Sequence, residues 1–211
     1  MPFLTFRRFY LDKYLTENIS YLQGKVLDIG GKKENKRGDF RPPISQVESW
    51  EYLNTDPSTK PDIRAGAEQI PVSGESYNTL LLTEVLEHVL DPLQVLAETH
   101  RVLAVDGVLV LSMPFLVPVH SDPHDYQRWT RQKLELELQK AGFKIKVFNS
   151  MGGILAVIWD LMYRQCSSEA LLPRIIGKCL FYLAPLFKVF DMLVSNQKGI
   201  TTGYFLIAQK Y

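Results

Sequence analysis

An α/β fold is predicted for this chain of 211 residues, with a doubly wound, mostly parallel sheet of seven strands and helices on both faces. Two observations carry the expectation. Short apolar runs alternate with stretches of helical periodicity along most of the chain, the pattern of strand–helix–strand units. The first of those runs, VLDIGG, is nearly continuous in apolar residues and closes on paired glycines, which suits a strand buried on both faces.

A helix opens the chain within residues 1–23, with Leu4, Leu11, Leu15 and Leu22 seven and four apart and Gly24 ending it. The glycine-closed strand follows. Residues 32–43 carry five Lys or Arg and two Pro, and read as a loop. WEYLNTDPS is a second strand stopped by Pro57, and DIRAG a short third one. A fourth strand centres on residues 79–83. Asp91 and Pro92 then form an N-cap and first-turn pair for a helix through LQVLAETHRVLA. Asp106 and Gly107 turn the chain into a fifth strand, VLVLSMP. Thr130 caps a helix ended by Gly142, and FKIKVFN alternates as the sixth strand. An apolar helical insertion over residues 150–201 precedes the last strand, in residues 202–211. Residues 24–149 form the core of what reads as a single domain, 1–211.

Charge and composition narrow the function. Lys and Arg exceed Asp and Glu by one, so no general field favours nucleic acid as a partner. Cys166 and Cys179 have no CxxC spacing and read as reduced core thiols of a cytoplasmic protein. Arg7 and Arg8 are not followed by the apolar stretch of a signal peptide. A membrane span needs about 20 apolar residues. The longest uncharged apolar run, Cys179 to Phe187, has nine and contains Pro185.

Asp28 sits at the carboxyl end of the first strand, where the following Gly30 and Gly31 let the backbone approach a ligand. The same glycines also suit a plain tight turn. Asp56 ends the second strand, at the place where a carboxylate holds a ribose diol, or where an Asx turn closes on Pro57.

GKVLDIGG, YLNTDPS, AGAEQIP and YNTLLLTEVLEHVLDPLQVLAETHRVLAVDGVLVLSMP, in that order and spacing, resemble the class I S-adenosylmethionine-dependent methyltransferases, and most the subgroup with an EVLEH segment. The resemblance spans residues 24–148. It implies a Rossmann-like sheet that binds S-adenosylmethionine and releases S-adenosylhomocysteine. Asp28, Gly30 and Gly31 would line the methionine part, and Asp56 with Pro57 the ribose. Ala67 and Glu68 would lie along the adenine, with Thr83, Glu84, Val85 and His88 toward the sulfonium. The sequence departs from the family at Lys32, where a further glycine is usual, and at Gly66, where an acidic residue usually meets the adenine amino group.

Glu84 and His88 are four apart and would share a face if the turn were helical. No metal site is expected, because His88 and His100 lack HxxxH spacing and a carboxylate to complete a set. The loop PFLVPVHSDPHDYQRWT follows the fifth strand and concentrates titratable and aromatic groups, as acceptor sites do. His124, His120 and Tyr126 are its candidate catalytic residues, with a histidine as proton acceptor. The HDYxRWT pattern is similar to a segment of methyltransferases encoded with sugar- and polysaccharide-building enzymes. A structural account competes: Asp125 pairs with Arg128, Trp129 packs and Thr130 caps the next helix.

Methyl transfer to a small or lipid-linked sugar-type acceptor, on oxygen, is therefore the expected activity; a non-catalytic relative that binds S-adenosylmethionine or a nucleoside is the alternative. Residues 154–194 are expected to form a lid over the acceptor, a homodimer face, a peripheral membrane contact or a plain helical hairpin packed on the sheet, rather than a span. Asp160, Arg164, Arg174, Lys178, Lys188 and Asp191 interrupt every candidate run.

Overall fold

The computed structural model describes residues 5–34, 38–166, 171–194 and 199–211, with the side chains of residues 165–182 outside that description. Leu4, the thiols of Cys166 and Cys179, and the side chains of Arg174 and Lys178 therefore lie outside the described residues.

Six strands form one sheet: β1 (Lys25–Ile29), β2 (Ser49–Leu53), β3 (Tyr77–Thr83), β4 (Leu103–Pro114), β5 (Phe143–Ser150) and β6 (Gly203–Lys210). Their order is β2-β1-β3-β4-β6-β5. The first four run parallel, while β6 lies antiparallel to both β4 and β5. The expected third strand, DIRAG, is absent, and its only trace is a parallel bridge between Leu53 and Ile63. The reason is local. The Asp62 carboxylate accepts the Tyr52 N–H at 2.9 Å, taking the place of a ladder carbonyl. Asp106–Gly107 also differs from the expected turn. Asp106, with φ 59°, lies inside β4, which starts at Leu103. The pairing of β3 with β4 slips register beside it, between Tyr77 and Thr79, so the dipeptide marks a bulge.

Helices cover both faces. On one side lie α2 (Pro92–Val102) and α3 (Arg131–Lys140), over a core with Leu27, Ile29, Leu80, Leu82, Leu109 and Leu111. Asp91 accepts the Gln94 N–H and Thr130 the Lys133 N–H, so both helices start on the caps the sequence predicts. On the other side lie α1 (Phe6–Glu17), α4 (Ile154–Cys166) and α5 (Leu171–Val194), over Val26, Leu81, Val110, Phe205 and Ile207. Alternate residues of β1 and β3 thus feed opposite cores, as a sheet covered on both faces requires.

The second layer is pinned by buried carboxylates. Asp160 of α4 accepts the Phe6 and Arg7 N–H groups at 2.7 and 3.0 Å, satisfying donors that the first turn of α1 leaves without helical partners. Asp191 of α5 accepts the Tyr10 hydroxyl at 2.6 Å and the N–H groups of Gly153 and Ala156 at the start of α4. Burial pushes the Asp160 carboxyl up to about 6 despite its two donors.

Candidate active site

The carboxyl ends of the parallel strands converge on one edge, where open α/β sheets bind ligands. Gly30, with φ 78°, turns the chain after β1; a side chain there would place its Cβ 2.7 Å from the Val85 methyl. A Cβ on Gly31 would fall within 2.3–2.6 Å of the Asp28 carboxylate. The positive φ favours glycine at position 30, a side chain at position 31 would have to push the Asp28 carboxylate aside, and the turn is further tied by the Asn54 amide, which donates to the carbonyls of Gly30 and Gly31.

Asp56 is exposed beyond β2. Its two oxygens accept the Ser58 N–H at 2.9 Å and the Ser58 hydroxyl at 2.8 Å, and these bonds hold the carboxyl below its usual range. The Asx-turn role is thus real, and it leaves lone pairs on both oxygens for a diol. Pro57 begins a short 3-10 turn, Pro57–Thr59. Ala67 is buried, and the Glu68 carboxylate folds back to within 2.8 Å of where a Gly66 Cβ would stand. The acid missing at position 66 is replaced in space by the one at 68. A glycine turn, an exposed carboxylate with lone pairs to spare and an acid beside position 66 are residue types that fit S-adenosylmethionine.

Beyond β3 the chain is strained. Glu84 has φ 59°, uncommon for a residue with a side chain. Its N–H donates to the Ser112 carbonyl, its carboxylate accepts the Ser112 hydroxyl at 3.2 Å, and it forms an ion pair with the Arg7 guanidinium from α1. Burial lowers Arg7 to about 10. A single 3-10 turn, Leu86–His88, follows. Glu84 and His88 therefore do not share a helical face, contrary to the expectation from their spacing.

That turn carries the centre of the site. Glu87 is fully buried, and neither of its carboxylate oxygens has a hydrogen-bond partner among the described residues. Burial, the largest influence on it, raises its carboxyl. The His88 Nε2 is 3.5 Å from one Glu87 oxygen and the His120 Nε2 is 3.9 Å from the same atom. The rings of His88 and His120 meet edge to face at 5.4 Å. Burial, then the charge of Arg7, brings His120 down to about 4, so its ring is neutral at pH 7.

The 114–130 loop is stitched onto this turn. The Tyr126 N–H donates to the Glu87 carbonyl at 2.8 Å, and the Gln127 amide donates to the carbonyls of Leu86 and Val89. Asp125 accepts from both Arg128 terminal nitrogens and from the His120 N–H, and the Arg128 contacts hold it down to about 2. Trp129 is buried, and its indole N–H donates to Gln127. The structural reading of Asp125, Arg128, Trp129 and Thr130 is therefore observed. The three candidate catalytic residues part company. His120 points inward to Glu87, whereas His124 and Tyr126 are exposed, their rings 5.2 Å apart. Only the His124 backbone reaches inward, its carbonyl 2.5 Å from the His88 Nδ1.

Arg7, Ser112 and Glu87 as a partner of His120 escape a sequence reading. Each is joined to the site across a long stretch of chain with no local spacing to announce it. The sequence does not join His88 and His100 into a metal set, and the fold keeps them apart: the His88 ring meets His120, while His100 packs its ring on Phe143.

Comparison with known proteins bears on the whole arrangement. The [4+2]-cyclase SpnF superposes with a TM-score of 0.60 at 15% identity, covering 95% of this chain and 79% of that one. An S-adenosylmethionine-dependent methyltransferase from Mesorhizobium loti gives 0.56 at 12%, covering 88% and 90%. A phosphoethanolamine N-methyltransferase from Haemonchus contortus, solved with S-adenosylhomocysteine, gives 0.57 at 13%, covering 95% of this chain and 52% of that one. At such identities the likeness speaks to fold, and a cyclase among the neighbours shows that the fold does not dictate the reaction. No curated protein matches the sequence. A family described as a methyltransferase domain matches residues 6–146, well over half of the chain. The chain belongs to the class I S-adenosylmethionine-dependent methyltransferase family and is an enzyme with S-adenosylmethionine as its cofactor.

Proposed function

We propose that this methyltransferase acts on a hydroxyl oxygen of a small or lipid-linked sugar-type acceptor. The observation that carries the reading is the cluster of Glu87, His88 and His120. It offers two imidazole rings and a buried carboxylate, and no side-chain donor occupies that carboxylate among the described residues.

On this reading Asp28, Gly30 and Gly31 seat the methionine part of the cofactor, Asp56 and Pro57 the ribose, and Ala67 and Glu68 the adenine. Thr83, Val85 and His88 stand at the sulfonium side, with Glu84 held in place by Arg7 and Ser112. When bound, the cofactor supplies an electrophilic methyl on a good leaving group. The protein's main task is then to align an oxygen in line at about 3 Å from that carbon. A sugar hydroxyl is a weak nucleophile, so it also needs its proton drawn away, and the Glu87–His88–His120 cluster is suited to that. His124 and Tyr126, on the exposed side of the loop, form the rim that a sugar ring would meet first.

The lipid-linked form of the acceptor draws support from α4 and α5. Ile158, Leu161 and Met162 on α4, and Leu186, Phe190 and Leu193 on α5, are exposed. No helix among the described residues is long and apolar enough to cross a membrane. The test is incubation with methyl-labelled S-adenosylmethionine and three acceptor sets: nucleotide sugars, free glycans and polyprenyl-linked saccharides. Label on a sugar oxygen is the expected result. Label confined to amine acceptors would overturn the assignment of oxygen.

A further inference from the structure

We infer that Glu87, His88 and His120 form a binding site for a first-row divalent cation, which holds and activates the acceptor hydroxyl. This deepens the function proposed above and rests on it for the role of the metal, though not for its binding.

Three donor atoms, one from each residue, lie within 4.8 Å of one another. Two of the separations are 3.5 and 3.9 Å, from the His88 and His120 Nε2 atoms to the same Glu87 oxygen. Ligands about 2.0–2.2 Å from a zinc-like ion stand roughly 3–4 Å apart, so modest side-chain adjustment closes the set.

The rings are turned the right way for it. The His88 Nδ1 faces the His124 carbonyl at 2.5 Å, and the His120 Nδ1 faces the Pro118 carbonyl at 3.2 Å. A ring nitrogen against a carbonyl oxygen must carry its hydrogen, which leaves the lone pair of each neutral ring on Nε2, toward Glu87. Carbonyl-oriented imidazoles are the usual outer shell of a metal site. Arg128 Nη2, 3.4 Å from the His120 Nδ1, is already bonded to Asp125 at 2.6 Å.

The second observation is Glu87 itself. It is a fully buried carboxylate whose two oxygens lack hydrogen-bond partners among the described residues, a costly arrangement unless something compensates it. Arg7 and Arg128 act on it through their charge, but neither donates a hydrogen bond to it. Arg7 pairs with Glu84, and Arg128 with Asp125. Three carboxylates, Glu84, Asp125 and Glu87, face two guanidinium groups, Arg7 and Arg128, around the point where the donors converge. A cation satisfies both the charge and the lone pairs.

Two imidazoles with one carboxylate select zinc, manganese, iron, cobalt or nickel over the oxygen-seeking magnesium and calcium. Three protein ligands leave open positions. An acceptor hydroxyl bound there loses its proton to solvent more readily. The alkoxide oxygen then forms its bond to the methyl carbon as the carbon–sulfur bond breaks, and sulfur leaves as a neutral thioether. His120 is in this account a ligand rather than the base.

The experiment titrates chelator-stripped full-length protein with Zn²⁺, Mn²⁺ or Co²⁺, and separately with S-adenosylhomocysteine. One tight equivalent of Zn²⁺ or Co²⁺ is expected, with Co²⁺ developing visible absorption bands. His88→Ala and His120→Ala should each weaken the metal by at least about tenfold, and Glu87→Gln, which keeps the side-chain shape, should do the same. His100→Gln should bind as the wild type does. Glu87→Gln, His120→Ala and His100→Gln should bind S-adenosylhomocysteine within about twofold of wild type, which also reports that they are folded, and the circular dichroism spectrum and melting temperature report the same for His88→Ala, which stands at the sulfonium side. Absence of a stoichiometric metal in the wild type overturns the inference, as does metal binding undiminished in the double histidine variant. Failure to bind S-adenosylhomocysteine would strike the cofactor assignment instead, and leaves the metal titration readable.

Discussion

The two helical layers of this molecule solve the same problem in opposite ways. The α2–α3 layer turns apolar residues such as Val95, Leu134 and Leu138 onto the sheet, pairs its two buried carboxylates, Glu98 and Glu137, with cations of the same helix, and sets ion pairs such as Arg131 with Glu135 on its outside. The α1–α4–α5 layer buries carboxylates: Asp160 and Asp191 lie within it at 5% and 1% exposure, while Leu193 on its outer face is 75% exposed. The first layer is an ordinary amphipathic cover. The second is held from inside by polar caps and leaves apolar surface outside. An apolar outer face of that kind would suit contact with something other than water, which the flotation experiment below tests. The second layer is also the one that sends Arg7 into the active site.

The contrast can be broken experimentally, starting with the largest effect. Asp191→Ala removes the acceptor of the Tyr10 hydroxyl and of the Gly153 and Ala156 N–H groups. Each stranded donor costs about 1–3 kcal/mol, so chemical denaturation should show a loss of roughly 3 kcal/mol or more, with α1 amides exchanging faster. Leu138→Ala in the other layer should cost a comparable 2–5 kcal/mol as a packing defect, yet leave cofactor binding intact. Next comes the cofactor itself. Asp56→Ala should weaken S-adenosylmethionine by about 2 kcal/mol, the scale of charge-assisted bonds to a diol, with a small fall in melting temperature from the lost Ser58 cap. A dissociation constant within twofold of wild type would remove Asp56 from the site.

A smaller effect is expected from pH. Asp160 has a folded value of about 6, above its usual 3.8. The folded state keeps a proton that the unfolded chain releases between those values, so this group's contribution to stability falls as pH rises through that window. Between pH 5 and pH 7 the fall should be about 1 kcal/mol, and Asp160→Asn should flatten it. Smallest of all, Leu193→Ser should change stability by less than about 0.5 kcal/mol. If the outer face does meet a lipid surface, the same change should reduce co-flotation with anionic vesicles. Unchanged flotation would return that face to a lid or a second protomer.

Much of the framework can be read from residue patterns because it rests on local rules. Asp91–Pro92 and Thr130 start helices through bonds made within four residues, and β1 announces itself by a continuous apolar run. What escapes a sequence reading is whatever depends on a distant partner. Asp160 and Asp191 read as interruptions of an apolar stretch, since periodicity cannot tell a solvated charge from one facing a helix N-terminus. DIRAG reads as a strand, but the Asp62 side chain takes the Tyr52 N–H its backbone would have needed to share. The candidate site was partly legible. The Gly30–Gly31 turn and the loop after β4 stand at the expected edge, whereas the meeting of Arg7 with Glu84 and of Glu87 with His120 needs the fold.

The placement of β6 between β4 and β5 has a further consequence for how the protein is made. A ribosome that has finished β5 has produced a strand with no neighbour, because its only partner in the sheet is β6, beyond the α4–α5 hairpin. Through that interval the β4 edge also stands open, a ready template for a strand from another chain. Translation speed across the hairpin, and a chaperone that shields an unpaired edge, should therefore govern yield more than the stability of the finished sheet does.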